Sequence, residues 1–260
     1  MRLEPGLREQ GAGPGVVCLH CSASTSGQWR ALMDSLAERF HVLAPDLYGC
    51  GKSPRWPETR PLWLDDQLEL LAPVFERAGE RFHLVGHSYG GAIALKAALR
   101  FPERLQSLVL YEPVLFAVLL RAEPQSDAAR EIASVRDDVT SLPPAAAAER
   151  FVDYWMGAGT WAATPEARRT ALVDAVQAQR PEWHSAFYEP TPLEAFRALE
   201  VPTLLLTGER STAAARGVAR LLRSALPSLD FTELAGAGHM APVTSPQRVN
   251  PLIERFLLRA

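Results

Sequence analysis

The chain has 260 residues, of which 47% are hydrophobic and 22% charged, and its formal net charge is −3. This length suits one domain with an insertion or two small domains, and the balance of residues is that of a globular protein. Because it contains neither a basic run nor basic residues interleaved with aromatic ones, no nucleic-acid partner is expected.

The distribution of apolar residues and cysteines indicates in which cellular compartment the protein is expected. No apolar stretch approaches about 18 residues, so no membrane span is expected. The opening stretch MRLEPGLREQGAGPG has no apolar core of the secretory kind. Three cysteines, Cys18, Cys21 and Cys50, form no disulfide framework. Together these features predict a cytoplasmic protein.

Apolar strands alternate with helices along most of the chain. Strands are predicted over 15–20, 41–47, 81–88, 105–113, 202–208 and 229–235. Helices are predicted over 29–40, 62–79, 89–101, 213–226 and 245–259. Continuous apolar strands that are each followed by a helix indicate a doubly wound, mostly parallel α/β sheet, covered on both faces.

The alternation stops between residues 114 and 197, where the pattern is helical throughout. This segment is predicted to be a cap inserted after the strand that ends near Glu112, with 1–113 and 198–260 forming the core. Its aromatic side chains either pack the cap helices together or line a pocket. They are Tyr154, Trp155, Trp161, Trp183, Phe187 and Tyr188.

A G-x-S-x-G motif, Gly86-His87-Ser88-Tyr89-Gly90, lies directly between a predicted strand and a predicted helix. That context is the one required for a nucleophile elbow, a sharp turn that exposes the serine hydroxyl. The glycines leave room for neighbouring backbone, and the helix that follows directs its free N–H groups towards the site. Ser88 is therefore the predicted nucleophile.

A serine hydroxyl is a weak nucleophile and needs a general base. His239 lies in the glycine-rich stretch GAGHMAP (236–242), after the last predicted strand. The other five histidines lie inside other motifs, at strand starts or in the cap. We expect His239 to be the base.

Negative charge that develops on a carbonyl oxygen needs preorganised donors. One is the backbone N–H of Tyr89, the residue after the nucleophile. The second is expected from the loop LHCSASTSGQW (19–29), and Ser22 is the residue we predict. We further expect His20, Trp29, Phe116 and Trp155 to line the substrate pocket.

Two short patterns have simpler explanations. Cys18 and Cys21 have C-x-x-C spacing, but they lie along a strand and not at a helix N-terminus, and no matching zinc ligands follow. Gly51-Lys52-Ser53 resembles the end of a phosphate-binding loop, but Asp46 stands where that loop needs a glycine. Both are interpreted as structural.

The stretches LHCSASTSGQW, PDLYGCGKS, LVGHSYGG and GAGHMAP, with the strand order, resemble the α/β-hydrolase fold superfamily. The resemblance implies a serine hydrolase with a helical cap and without a metal or an organic cofactor. The family's usual His-Gly is His20-Cys21 here, and the stretch from Asp46 to Ser53 matches a recurring structural turn. A carboxylate nucleophile, as in epoxide hydrolases and haloalkane dehalogenases, is excluded by Ser88.

The histidine needs an acidic partner that fixes its tautomer. In the family pattern G-x-x-D, the aspartate would fall at Ser211. Glu112 ends the strand after the nucleophile, in an apolar context, and the order Ser88…Glu112…His239 keeps the expected sequence serine, acid, histidine. Glu209 is the fallback acid, and a site without an acid is the third alternative.

The predicted activity is hydrolysis of a small-molecule carboxylic ester through an acyl-serine. Relatives also cleave lactones, amides or C–C bonds, or make peracids, with the same triad. A non-catalytic ligand-binding protein on a hydrolase scaffold is the alternative from another class.

Overall fold

The computed structural model describes residues 4–260, and within them seven strands form one sheet. The strands are β1 (Leu7–Gln10), β2 (Gly15–Leu19), β3 (His41–Pro45), β4 (Phe82–His87), β5 (Leu105–Tyr111), β6 (Thr203–Gly208) and β7 (Leu229–Leu234). Their spatial order is β1-β3-β2-β4-β5-β6-β7. Only the pairing of β1 with β3 is antiparallel, which confirms the predicted doubly wound, mostly parallel sheet.

Helices flank the sheet and fill the segment between β5 and β6. They are α1 (Arg30–Leu36), α2 (Leu64–Arg77), α3 (Tyr89–Arg100), α4 (Phe116–Ala122), α5 (Asp127–Ser141), α6 (Pro144–Met156), α7 (Thr160–Ala163), α8 (Glu166–Ala178), α9 (Arg180–Tyr188), α10 (Ala213–Ala225), α11 (Ala241–Thr244) and α12 (Pro246–Leu257). Short 3-10 turns cover Ser26–Trp29, Pro102–Arg104 and Leu193–Ala198. Within residues 4–260, no helix is both long and apolar enough to cross a membrane.

The edge strand β1 has no counterpart among the predicted elements. Its residues are mostly exposed, so it shows no apolar alternation. It is held by backbone pairing to β3 and by Glu9, whose carboxylate binds Arg77 and His41. A charged edge of this kind also protects the sheet from pairing with other chains.

The central strands are buried on both faces, which explains their continuous apolar sequence. In β2, Val17 and Leu19 belong to the apolar cluster that contains α2 and α3. Val16 and Cys18 point to the opposite face and join the cluster that contains α1 and α12. The strand thus anchors two helical layers at once.

The parallel strands bring their carboxyl ends to one edge of the sheet. The helices α4–α9, which we call the inserted helices, lie between β5 and β6 in sequence. Their apolar residues Trp155 and Trp183 belong to the same cluster as Leu110 of β5. The inserted helices therefore pack on the core, while their division from it as a separate cap stays a prediction.

Candidate active site

Ser88 stands in the turn between β4 and α3. Its φ and ψ of 56° and −117° lie in a region that non-glycine residues rarely adopt. The two glycines of the motif make this turn sterically possible. A Cβ on Gly90 would lie 2.4 Å from the carbonyl oxygen of Leu19, and one on Gly86 would lie 2.5 Å from the carbonyl oxygen of Gly90. The close helix–strand contact around Ser88 therefore requires glycine at both positions.

His239, in the loop after β7, lies against this serine. Its Nε2 is 2.9 Å from Oγ of Ser88. Two side chains hold the histidine loop by its backbone: His87 Nε2 donates to the carbonyl oxygen of His239 at 2.9 Å, and the Tyr111 hydroxyl donates to that of Gly238 at 2.8 Å. His239, the predicted base, is thus held from the ends of β4 and β5.

The ring of His87 has the protonation state that this contact requires. Its Nδ1 accepts a hydrogen bond from the amide of Gln28 at 3.1 Å, which leaves Nε2 as the donor. Burial holds the pKa of His87 well below its ordinary value, so the ring is neutral. The motif residue before the nucleophile therefore positions His239.

Glu112 follows β5 and is fully buried. Its Oε2 is 2.6 Å from Nδ1 of His239. Its Oε1 accepts three hydrogen bonds from the end of β6 and the turn that follows: from Thr207 Oγ1 at 2.9 Å, Gly208 N at 2.6 Å and Ser211 Oγ at 2.5 Å. Ser211, at the position where the family pattern has an aspartate, thus donates a hydrogen bond to Glu112 at the end of the neighbouring strand.

These donors decide the charge of Glu112. Burial by itself raises the pKa of this carboxyl, but the hydrogen bonds from His239, Gly208 and Ser211 outweigh burial and lower the pKa below its ordinary value. Glu112 is therefore ionised at neutral pH and can stabilise a protonated histidine. Its backbone φ of 44° is also strained, as at Ser88.

The fallback acid Glu209 points elsewhere. It is exposed, and its carboxylate accepts a hydrogen bond from the backbone N–H of Gly236 at 2.6 Å. Among the hydrogen bonds and ion pairs of residues 4–260, none joins Glu209 to His239.

The backbone amides of Tyr89 and Ser22 are available as donors. Tyr89 opens α3, so its N–H is one of the groups that a helix leaves without an internal partner. Ser22 follows β2, in the loop where Ala23 has a φ of 53°. Over the described part of the chain, neither amide donates to a protein acceptor. Both amides are thus free to bind a ligand oxygen.

Ser88 and His239 open into a cavity of about 220 Å³ between the sheet edge and the inserted helices. Its wall is mainly apolar, and five Phe, Tyr or Trp residues contribute to it: Tyr89, Phe116, Phe151, Trp155 and Trp183. Among the described residues that line the cavity, none is Lys or Arg. The hydroxyl of Ser88 and the imidazole of His239 therefore face an apolar cavity whose described wall has no Lys or Arg side chain.

Two of the four predicted pocket residues line this cavity, and two do not. Phe116 and Trp155 do, and the Trp155 ring centroid lies 4.2 Å from that of His239. His20 is fully buried instead, donating through Nδ1 to the Cys21 carbonyl at 2.8 Å and accepting through Nε2 from the amide of Leu47 at 3.1 Å.

Trp29 is buried in the cluster that contains α1 and α12, away from the cavity. The prediction is therefore wrong for His20 and Trp29. The loop after β2 directs these two side chains into the core, and its small residues Ser22, Ala23 and Ser24 face the cavity.

The short cysteine and Gly-Lys-Ser patterns lie in structural surroundings. Cys18 and Cys21 are buried, and burial raises the pKa of both thiols, that of Cys21 to about 12. Ser53 donates to the carbonyl oxygen of Asp46 at 2.6 Å, and Lys52 N donates to its carboxylate at 3.0 Å. These contacts close a turn.

The acidic residue of the cavity wall was absent from the sequence-based candidates. Glu182 of α9 is 3% exposed, and its Oε2 accepts a hydrogen bond from the Ser22 hydroxyl. Burial raises its pKa to about 8, with the Ser22 contact opposing that rise. A glutamate in the first turn of a helix is an ordinary surface pattern, so no local signal marks it.

Comparison with known proteins relates the chain to hydrolases. The chain is 38% identical over 104 residues to a pimeloyl-(acyl-carrier protein) methyl ester esterase of Nitrosomonas europaea, covering 40% of this chain and 39% of that one. It is 36% identical over 114 residues to a 2-hydroxymuconate semialdehyde hydrolase of a Pseudomonas species, covering 42% and 39%. A thermophilic esterase from Thermogutta terrifontis superimposes with a TM-score of 0.73 and 25% identity over 98% of this chain and 93% of that one.

The local matches span about two fifths of those two enzymes, whereas the structural match spans nearly the whole chain. The model of the "Alpha/beta hydrolase family" matches residues 16–252, which include Ser88, Glu112 and His239. The chain therefore belongs to the alpha/beta hydrolase family and is a hydrolase.

Proposed function

We propose that this hydrolase cleaves a small carboxylic ester through an acyl-serine intermediate. The observation that carries the proposal is the continuous hydrogen-bond chain from Glu112 through His239 to Ser88, which ends at a cavity. Each of the two links has the length expected for a triad.

In the first half-reaction, His239 Nε2 takes the proton of Ser88 while Oγ attacks the ester carbonyl carbon. The amides of Tyr89 and Ser22 bind the resulting oxyanion, and Glu112 stabilises the imidazolium. His239 then returns the proton to the leaving alcohol. In the second half-reaction a water attacks the acyl-serine by the same route, which releases the acid and restores the serine.

The cavity supports a neutral, apolar substrate. Its volume of about 220 Å³ lies below the roughly 300–1,000 Å³ of pockets for drug-sized ligands, which favours a small acyl or alcohol group. Its described wall offers no Lys or Arg to pair with a substrate carboxylate. The esterase names of two similar proteins support ester hydrolysis. In this proposal, residues 114–197 act as the cap that shapes the pocket.

C–C bond hydrolysis is the second candidate, because the chain is similar to a 2-hydroxymuconate semialdehyde hydrolase. The name of that substrate denotes an anion, for which this cavity wall has no cationic partner. Lactones and amides would use the same groups as an ester. A non-catalytic binding protein is disfavoured by the strained backbone at Ser88 and Glu112, since strain of this kind clusters at functional sites.

A fluorophosphonate probe and a substrate panel test the proposal. We expect the probe to label the wild-type protein and Ser35→Ala, whose serine is exposed and remote on α1, but not Ser88→Ala. The panel compares neutral p-nitrophenyl esters of increasing acyl length with a carboxylate-bearing ester, a lactone, an anilide and a dienoate. Fastest turnover of a short neutral ester supports the proposal. Equal labelling of Ser88→Ala, or turnover of the dienoate alone, would contradict it.

A further inference from the structure

We propose that Glu182 and Ser185 of α9 are positioning residues that hold the two residues supplying the oxyanion hole. This inference rests on the proposed function, since it needs the amides of Ser22 and Tyr89 as oxyanion donors. It gives the inserted helices a direct part in catalysis beyond the shape of the pocket.

The first contact joins Glu182 to the oxyanion loop. The Ser22 hydroxyl donates to Glu182 Oε2 across 160 residues of sequence. The next residue in the loop, Ala23, has a φ of 53°, a conformation that costs free energy and persists only when its surroundings hold it. Glu182 is the side chain from the inserted helices that fixes this loop through Ser22.

The second contact joins Ser185 to the residue after the nucleophile. The hydroxyl of Tyr89 and Oγ of Ser185 lie 2.7 Å apart. Because Ser185 donates its own proton to the carbonyl oxygen of Glu182 at 3.0 Å, the tyrosine is the donor in this pair. Tyr89 and Ser185 are 1% and 0% exposed, so water cannot replace the bond.

The spacing of the two α9 residues explains how one helix reaches both donors. Residues three apart lie on the same face of a helix, so Glu182 and Ser185 point in the same direction. One touches the loop after β2 and the other the start of α3. A shift of α9 would therefore move both oxyanion donors together, and catalysis is sensitive to displacements of about 1 Å.

The protonation of Glu182 also bears on the oxyanion. With its pKa raised by burial to about 8, the carboxyl is neutral at pH 7 and places no negative charge beside the donor loop. The amide of Gln179 lies against the same carboxyl. The amide oxygen can accept a hydrogen bond from the protonated carboxyl of Glu182, and the amide nitrogen can donate one to the ionised carboxylate.

The other titratable groups that interact with Glu182 do not change charge near pH 8. Burial raises the pKa of Cys21, Cys50 and Tyr89, so all three stay neutral there. His239 lines the same cavity and is common to every variant compared below.

Steady-state kinetics on a neutral ester separate a positioning role from a merely structural one. We expect Glu182→Ala and Ser185→Ala to lower kcat by roughly 10- to 100-fold, less than the 10²- to 10³-fold that loss of a whole oxyanion donor costs, while KM changes less than about threefold. Glu182→Gln keeps an acceptor for Ser22 and should restore kcat. Tyr89→Phe, which keeps the backbone amide, should match Ser185→Ala.

The matched control is Glu189→Gln. Glu189 is a second buried glutamate, at the end of the same helix, and it binds Lys96 and Thr191 outside the cavity. We expect it to lower thermal stability and leave kcat unchanged. An equal kcat loss in this control, or a kcat for Glu182→Ala close to wild type, overturns the inference.

Two further measurements distinguish the possible failures. The kcat of wild type should fall as pH rises through about 8, where Glu182 ionises, whereas the profile of Glu182→Gln should lack this fall; identical profiles overturn the inference. Ser22→Ala combined with Glu182→Ala should be no worse than the single variants, because both remove one bond. If the wild type turns over no substrate and the probe does not label it, the proposed function itself fails.

Discussion

The ends of β5 and β6 lie side by side, yet they contribute different halves of the same polar contact. The end of β5 supplies the carboxylate, Glu112. The end of β6 and the turn after it, where the family pattern would have an aspartate, supply only donors: Thr207, Gly208 and Ser211.

This division shows that the position of an acid and the position of its support are separable. The backbones of the two strand ends are locked together, since Glu112 N donates to the Leu206 carbonyl at 3.1 Å. A buried carboxylate needs donors wherever it starts, and the β6 turn remains within reach of it. Ser211 is therefore one of three donors that stabilise the carboxylate of Glu112.

The largest expected effect comes from removing the charge at the end of β5. Glu112→Gln keeps the shape but loses the partner that fixes the His239 tautomer, so we expect kcat on a neutral ester to fall on the order of 10⁴-fold. Circular dichroism should show that the fold is retained. A variant with near-wild-type kcat would show that the β5 end is not the source of the acid.

Moving the carboxylate from position 112 to position 211 tests directly whether either strand end can supply the acid. Ser211 Oγ lies 2.5 Å from Oε1 of Glu112, so a carboxylate at position 211 can enter the space that a shortened residue 112 leaves. We expect Glu112→Ala with Ser211→Asp to regain on the order of 100-fold of the roughly 10⁴-fold loss in kcat. The neutral control, Glu112→Ala with Ser211→Asn, should regain nothing; equal rates in the two double variants would show that charge at 211 is irrelevant.

A smaller effect is expected when the β6 turn loses one donor. Ser211→Ala removes one of three hydrogen bonds to Oε1 of a buried charge, so the free energy of unfolding at pH 7 should fall by about 1.5 kcal/mol. The pKa of Glu112 is lowered in the folded state. The stability that this carboxylate contributes is therefore present above about pH 4.5 and is lost as the pH falls through the folded-state pKa.

The variant has less of this stability to lose. The difference between wild type and Ser211→Ala in urea unfolding should therefore stay constant from pH 7 to about pH 4.5 and shrink as the pH falls through the lowered folded-state pKa of Glu112. A difference that stays constant over the whole pH range would mean that Ser211 acts through packing and not through the carboxylate.

The smallest effect is expected at Glu209, the carboxylate that does belong to the β6 turn. It is exposed and binds the Gly236 amide, so Glu209→Gln should change kcat less than about twofold and stability by less than about 1 kcal/mol. Kinetics on the same ester measure this directly. A loss of kcat comparable with that of Glu112→Gln would indicate that Glu209, after β6, is the acid.

The elements that the sequence predicts well are those whose causes are local. The turn at Ser88 follows from a strand, a helix and the glycines between them, all within a few residues. The apolar runs of β2 and β4 predict buried parallel strands because both faces are covered. The exposed strand β1 escaped prediction because a strand held by backbone pairing needs no apolar pattern.

Side-chain direction in loops was harder to predict. His20 and Trp29 flank the loop after β2, and sequence position alone suggests that they face the pocket. The structure turns both into the core, because His20 satisfies two buried backbone groups and Trp29 packs in the apolar cluster that contains α1 and α12. Which side of a loop faces a cavity depends on what packs against the other side.

The fold class and the strand ends at which Ser88, Glu112 and His239 stand can be read from the sequence, since the succession of strands and helices along the chain follows from local patterns. Which carboxylate contacts His239, and that Ser211 and Glu182 contact the site, depends on the packing of distant elements. Those contacts join residues 99 and 160 positions apart, and their geometry is set by how whole helices and strands pack. No local sequence pattern predicts that Ser211 contacts Glu112 or that Glu182 contacts Ser22.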